Sequence, residues 1–234
     1  QFFDMLMDSQ WWSADQLRNY QRSQLSRLLR HANQNVPFYQ YRLGAVVKPD
    51  GDIDWFRWGE IPIVKRQDII DHGPDMLARE LPPGHGGTTV SSTSGTSGTP
   101  ITLTSTQLAH IALNANRFRY YSWHEVDWRK DCCSVFGDDP AVGSWPDGVV
   151  LGPWGPAWDV DALDGTLFRI NRLTNYEHIV EFLARRRPAD LTTGPNTASA
   201  VALTARRIGV DIRLDACLPR GAGVIDRARE TIRT

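Results

Sequence analysis

The chain has 234 residues, with 26 Lys and Arg against 27 Asp and Glu and a net charge of −1. That balance argues against non-specific nucleic-acid binding, which runs on neutralising phosphates. Hydrophobic residues at 41% and charged residues at 23% exclude wholesale disorder, and a chain this long buries about 70% of its unfolded surface without disulfide staples.

The elements follow in order. Ser13 and Gln16 form a capping box, and Leu17, Leu25, Leu28, Leu29 and Ala32 mark one helical face. Pro37 disfavours the α conformation before it and stops that helix by Val36. Residues 44–60 read as a loop, and a short helix is expected over Arg66–Asp71, ended by Gly73-Pro74. Gly84–Thr99 is rich in Gly, Ser and Thr, between β-prone Thr88–Ser92 and Ile101–Thr104. This reads as strand, loop, strand. A helix over Gln107–Ser122 follows, with Leu108, Ile111, Ala112, Ala115 and Phe118 on one face.

Cys132–Phe136, Val149–Leu151 and Leu167–Ile170 read as strands. Thr174 and Glu177 suggest a second capping box, opening a helix that ends in Arg185-Arg186-Arg187, where the helix dipole favours cations. Asp190–Thr193 reads as a strand, Asn196 as the cap of a helix to Ile208, and Gly209 as its C′ residue. Val210–Leu214 is expected as a strand and Val224–Thr234 as a helix. The alternation implies an α/β fold with a mostly parallel sheet. The expected division is a helical region over 1–85 and an α/β region over 86–234, truncated at its C-terminal end. A closing helix should lead into one more strand, so the chain reads as a piece of something longer.

Cys132, Cys133 and Cys217 make no disulfide framework, and no Cys-x-x-Cys spacing marks a zinc site. No apolar run approaches the ~18 residues of a membrane helix. Gln1-Phe2-Phe3-Asp4 lacks the basic and apolar order of a secretory leader, and the expected compartment is the cytoplasm.

The strongest chemical signal is Thr93-Ser94-Gly95-Thr96-Ser97-Gly98-Thr99-Pro100. Gly95 and Gly98 permit close backbone approach, successive N–H groups can form an anion-binding concavity, and the hydroxyls add donors. A flexible linker has the same composition, but the β-prone flanks favour an ordered loop. It is neither a Walker A loop, having no Gly-Lys-Ser/Thr, nor a nucleophile elbow.

Thr93–Pro100 resembles the phosphate-binding loop of the adenylate-forming superfamily, Thr/Ser-Ser-Gly-Thr-Thr-Gly-x-Pro. His31-Ala32-Asn33-Gln34-Asn35-Val36-Pro37-Phe38-Tyr39 and Ile61-Pro62-Ile63-Val64-Lys65-Arg66-Gln67-Asp68-Ile69 resemble stretches of phenylacetate–CoA ligases and their CapK-like relatives. Arg187–Leu191 through Gly194-Pro195-Asn196 is similar to a later strand and turn of that group. The resemblance implies an enzyme that joins ATP to a small carboxylic acid as an acyl- or aryl-adenylate, then makes a thioester with coenzyme A. Thr93, Ser94, Gly95, Thr96, Ser97, Gly98 and Thr99 would hold the ATP phosphates, with Mg²⁺ neutralising charge. Phe136, Gly137, Gly194 and Pro195 would line the substrate pocket. Thr99 and Ile101 stand where many such loops carry a Lys. The Tyr-Gly-x-Thr-Glu motif, a ribose-binding Asp and an adenylating Lys would all follow residue 234. No catalytic residue is therefore assigned, the Mg²⁺ ligands are expected mostly outside the chain, and the chain alone is not expected to make adenylates.

Other features have plainer readings. Trp145, Trp154 and Trp158 suit an aryl-acid wall or a sugar platform, but loop packing is the simpler role. Phe136 is a core residue or a ligand contact at a strand end. Asp138-Asp139 fits a solvated pair better than a cation site. His110 and His124 flank the helix after the loop, within reach of a substrate. Gly221-Ala222-Gly223 is a poor dinucleotide fingerprint, because Asp226 stands at its third position. The alternative function is a non-catalytic nucleotide- or carbohydrate-binding module of the same fold.

Overall fold

The computed structural model describes residues 1–92, 99–139, 141–156 and 164–233. It divides into two compact units, Gln1–Arg119 and Tyr120–Thr234.

The first unit is helical with one hairpin. Helix α1 spans Phe2–Ser9 and α2 spans Ala14–Asn35. The Ser13 cap forms as the sequence implies: Ser13 Oγ accepts from Gln16 N at 3.3 Å, and Gln16 Oε1 accepts from Ser13 N at 2.8 Å. Val36 is extended and Pro37 opens a one-turn helix, α3 (Pro37–Gln40). Only Leu29 of the expected α2 face is fully buried, packing with Leu43 and Val47, whereas Leu28 is exposed. Residues 44–60 are not wholly irregular. Trp55–Glu60 forms a 3-10 turn, capped by Asp54 and held against the same cluster by Trp55. Helix α4 (Arg66–His72) runs into a second 3-10 turn, Gly73–Met76. Strands β1 (Thr88–Ser92) and β2 (Thr102–Thr106) pair antiparallel, from Thr88 opposite Thr106 to Ser92 opposite Thr102. Helix α5 (Gln107–Trp123) follows without a break; Ala115 and Phe118 are buried, but Ile111 lies exposed.

The second unit is a five-stranded sheet with helices. Its strands are β3 (Cys132–Val135), β4 (Val149–Pro153), β5 (Thr166–Ile170), β6 (Asp190–Thr193) and β7 (Ala216–Pro219). The order is β4-β5-β3-β6-β7; all neighbours are parallel except β4, an antiparallel edge. The mostly parallel α/β sheet expected from the alternation is thus present. Helices α6 (Tyr176–Arg186), α7 (Pro195–Ile208) and α8 (Asp226–Arg233) complete the unit. Ile179, Val180, Phe182 and Leu183 of α6 meet Cys133, Val135, Ile170 and Leu191 of the sheet, with Val201 and Ala205 of α7. Strands β3 and β6 are buried at every position, as central parallel strands should be.

Three local expectations are corrected. The cap of α6 is Asn175, whose side chain accepts from His178 N at 2.8 Å, rather than Thr174. Helix α7 begins at Pro195 with Gly194 as its N-cap; Asn196 already lies inside it. Pro at the first helical position forfeits an N–H that has no intrahelical partner anyway. Val210–Leu214 is not a strand; β7 is the next segment, Ala216–Pro219. Gly209 does close α7, at φ 73°.

Candidate functional site

Two groups of residues stand out, one in each unit. In the first, β1 and β2 bracket the Ser/Gly/Thr segment at Ser92 and Thr102. Thr93, Ser94, Gly95, Thr96, Ser97 and Gly98 lie outside the described residues. Thr99 is described, and its carbonyl accepts a hydrogen bond from Arg66 Nη2 at 2.5 Å. The hairpin base is tied to α5: Gln107 N donates to Gly87 O at 2.9 Å, and Leu108 N donates to His85 O at 3.1 Å. His110 Nε2 lies 2.7 Å from Thr89 Oγ1, so this histidine braces β1. Beside Thr99 and Pro100 opens a cleft of about 400 Å³, walled by Ile69, Ile70 and Leu77 and floored by Thr102 and Thr104 of β2.

In the second unit, the carboxyl ends of three adjacent parallel strands converge. Phe136-Gly137 follows β3, Gly194-Pro195 follows β6, and Arg220-Gly221 follows β7. The register pairs Val135 with Thr193, and Thr193 with Pro219. The four residues expected to line a substrate pocket therefore sit on one sheet edge, the edge where open α/β folds bind ligands. Phe136 is half-buried, with the Arg220 guanidinium 4.5 Å from its ring centroid, a cation–π distance. Arg220 N also donates to Thr193 O at 2.7 Å, fixing the turn after β7. Nothing local in the sequence marks Arg220, since the alternation over Val210–Leu214 points to a strand that ends several residues before β7 does.

Gly137 has φ 85° and lies exposed with open space where a Cβ would be. Its carbonyl accepts from Arg172 N at 3.1 Å. The Arg172 guanidinium binds Asp138 at 2.8 Å and holds that carboxyl below its usual pKa. Asp139 Oδ1 caps its own turn, accepting from Ala141 N at 2.9 Å. The acidic pair thus serves the loop, and among the described residues no three His, Cys, Asp or Glu side chains are grouped to hold a metal ion.

The remaining candidates are structural. Trp145 stacks on His178 at 4.5 Å between ring centroids, and Arg185 lies 5.4 Å from the same ring. Trp154 is buried and donates Nε1–H to Lys130 O at 2.7 Å. Packing therefore claims both rings, which leaves them poor sugar platforms; Trp158 lies outside the described residues. His124 packs edge-on to Tyr120 at 4.7 Å. Burial raises all three thiols, Cys133 to about 12 and Cys217 to about 11, with Cys132 raised further still. Thiols so raised stay protonated and make poor nucleophiles at neutral pH.

No protein-family model and no curated protein matches the sequence. Solved structures do. The chain is similar to 2-hydroxyisobutyryl-CoA ligase in complex with 2-HIB-AMP and CoA in the thioesterification state: TM-score 0.66, 19% identity, 94% of this chain and 48% of that one. It is similar to an open conformation of that ligase with 2-HIB-AMP and CoA, at TM-score 0.61 and 19% identity, over 90% of this chain and 50% of that one. Against the postadenylation state with 2-HIB-AMP the TM-score is 0.60 at 20% identity, over 90% and 45%. The chain spans about half the length of the structures it matches. At these identities the likeness is one of fold, and the fold is that of about half of an adenylate-forming CoA ligase chain.

Proposed function

We propose that this chain supplies the ATP- and acyl-binding part, residues 86–234, of an AMP-forming carboxylate–CoA ligase. In this reading the Thr93–Thr99 loop cradles the ATP phosphates. Phe136, Gly137, Gly194 and Pro195 line the place of a small carboxylic acid, an aryl acid if the phenylacetate-ligase resemblance holds. One observation carries the reading above others: the Ser/Gly/Thr segment joins the paired ends of an antiparallel hairpin, in a chain with the fold of about half of a CoA ligase. A loop held at both ends can present its N–H groups to one anion without ordering them anew at each binding event.

The chemistry asked of these residues is positioning. The carboxylate must meet the α-phosphorus in line, and charge on the departing pyrophosphate must be matched by fixed donors. No protein nucleophile enters that step, in keeping with the raised pKa of each thiol. Mg²⁺ is proposed to accompany the phosphates. Since the described residues group no metal ligands, no step is assigned to it here.

The test is a titration of the 234-residue chain with ATP and Mg²⁺, followed by intrinsic tryptophan fluorescence or calorimetry. Saturable binding is expected. Gly95→Val should weaken it by at least about tenfold, because a branched side chain blocks close approach and disfavours positive φ. Absence of ATP binding, or an unchanged affinity in Gly95→Val, overturns the assignment. In a longer polypeptide containing these residues, ATP binding without carboxylate-dependent pyrophosphate exchange would favour the non-catalytic alternative.

A further inference from the structure

We infer that the free edge of β7 is a docking slot for one more strand, parallel to β7 and supplied by polypeptide outside these 234 residues. The inference rests on the sheet and is independent of the nucleotide reading.

Among the described residues, β7 pairs with β6 alone and ends the order β4-β5-β3-β6-β7. The register fixes which way its backbone groups point. Arg220 N donates to Thr193 O at 2.7 Å, and Ala216 N donates to Ala189 O at 3.4 Å. Ala216, Leu218 and Arg220 therefore turn their peptide groups toward β6. Hydrogen-bonding direction alternates along a strand, which turns Cys217 and Pro219 outward. Pro219 has no N–H, so the free edge offers one donor, Cys217 N–H, and two acceptors, the Cys217 and Pro219 carbonyls.

This edge is walled. A cleft of about 520 Å³ runs along it, lined by all four β7 residues, by Tyr120 and His124 at the end of α5, and by Arg229, Ile232 and Arg233 of α8. Leu218 is buried, and half-buried Cys217 packs on the sheet core. Burial on both faces marks an interior parallel strand. A strand that ends a sheet is commonly blunted by charge, but Ala216-Cys217-Leu218 carries none, and Pro219 removes a donor only at the far end.

Two observations set the occupant. Helix α7 leads from the carboxyl end of β6 back to the side where β7 begins, and Arg206 in its last turn donates to the Thr231 carbonyl. Helix α8 has thus returned to the amino end of the sheet by Thr231, and a strand entered from there runs parallel to β7. The matched ligase structures are also about twice as long as this chain, so their fold holds as much polypeptide again to supply a strand. A second copy is the poorer occupant. Docked edge to edge, it would bring Arg229 and Arg233 of both copies to one interface, and like charges there oppose association.

Amide exchange at Cys217 and Leu218 tests the slot, because their N–H groups face opposite ways. In the 234-residue chain Cys217 should exchange at least about 100-fold faster than Leu218, which pairs with β6. In a polypeptide that also carries residues beyond 234, Cys217 should slow to within about tenfold of Leu218. A Cys217 amide that stays fast in the longer polypeptide overturns the inference. So does a reading frame that stops after residue 234. A slow Cys217 amide in the 234-residue chain overturns it too: a dimer by sedimentation then gives the slot to a second copy, and a monomer shows the edge already closed. No arm uses nucleotide. ATP binding without the change at Cys217 therefore overturns this inference alone, and the reverse result overturns the proposed function alone.

Discussion

Asp190 opens β6 with only 2% of its surface exposed, and its Oδ2 has no hydrogen-bond partner. Burial is the main cause that pushes its carboxyl up to about 6; the Asp215 charge adds to it, and Lys130 partly opposes it. Lys130 is already engaged, 2.6 Å from Asp215. The sign follows. The folded pKa lies above the unfolded value, so the folded chain holds the extra proton between pH 4 and 6, and stability falls as pH rises through that window. A carboxyl held at about 6 instead of its ordinary value corresponds to roughly 3 kcal/mol lost by neutral pH. Asp190→Asn should recover about 1–2 kcal/mol at pH 8 and flatten the slope between pH 4 and 6. Urea unfolding at several pH values reads this, and an Asn variant with the wild-type slope would refute it. None of this is visible locally in the sequence, because Lys130 and Asp215 lie 60 residues before and 25 residues after Asp190. Arg66 is the same kind of case: its helix is legible, but its partner at Thr99 is not.

At the scale of elements, cations predicted to complement the α6 dipole do more than that. Arg185 donates to the Pro146 carbonyl, and Arg186 Nη2 donates to Asp147 O at 3.2 Å. With Trp145 stacked on His178, they clamp the 143–148 loop to α6. Gly148 is what lets the loop approach so closely. Its φ is 63°, and a Cβ there would meet Arg169 O at 2.6 Å and the Phe182 ring at 2.8 Å. Gly148→Ala should cost about 2–3 kcal/mol through overpacking and positive φ together. A chemical-denaturation midpoint equal to wild type would show that the loop yields instead. The misplaced strand has an equally definite reason. Val210, Ile212 and Leu214 alternate with polar residues, and all three do pack against the core cluster. Alternation reports which face is buried, not whether the backbone pairs. Pairing starts later, where Asp215 N donates to Ala189 O at 2.7 Å and Ala216 falls opposite Asp190.

Over the whole molecule, stability should be uneven. Strands β3 and β6 are buried throughout, between other strands and against α6 and α7. The β1–β2 hairpin is two-stranded and largely exposed, with Val90 at 70%. Two strands alone are marginal in water. Amides of Cys133–Val135 and Leu191–Thr193 should therefore exchange at least about 100-fold more slowly than those of β1 and β2, apart from any ligand. Equal protection in hydrogen-exchange mass spectrometry would contradict this; added ATP should slow the hairpin selectively if its turn holds phosphate.

The division between what chain order reveals and what packing decides runs through each scale. Caps, stops and periods are short-range physics, so the Ser13 box, the break at Pro37, the Gly209 terminus and the α/β alternation could all be read along the chain. The two strands that flank the Gly/Ser/Thr segment were legible because β-prone runs act locally. Strand order, the antiparallel β4 edge and the meeting of Phe136, Gly194 and Arg220 at one sheet edge needed the tertiary structure. So did the raised carboxyl of Asp190 and the reach of Arg66 to Thr99. Those depend on groups tens of residues apart, whose approach is set by burial of a shared core and not by any pattern within one segment.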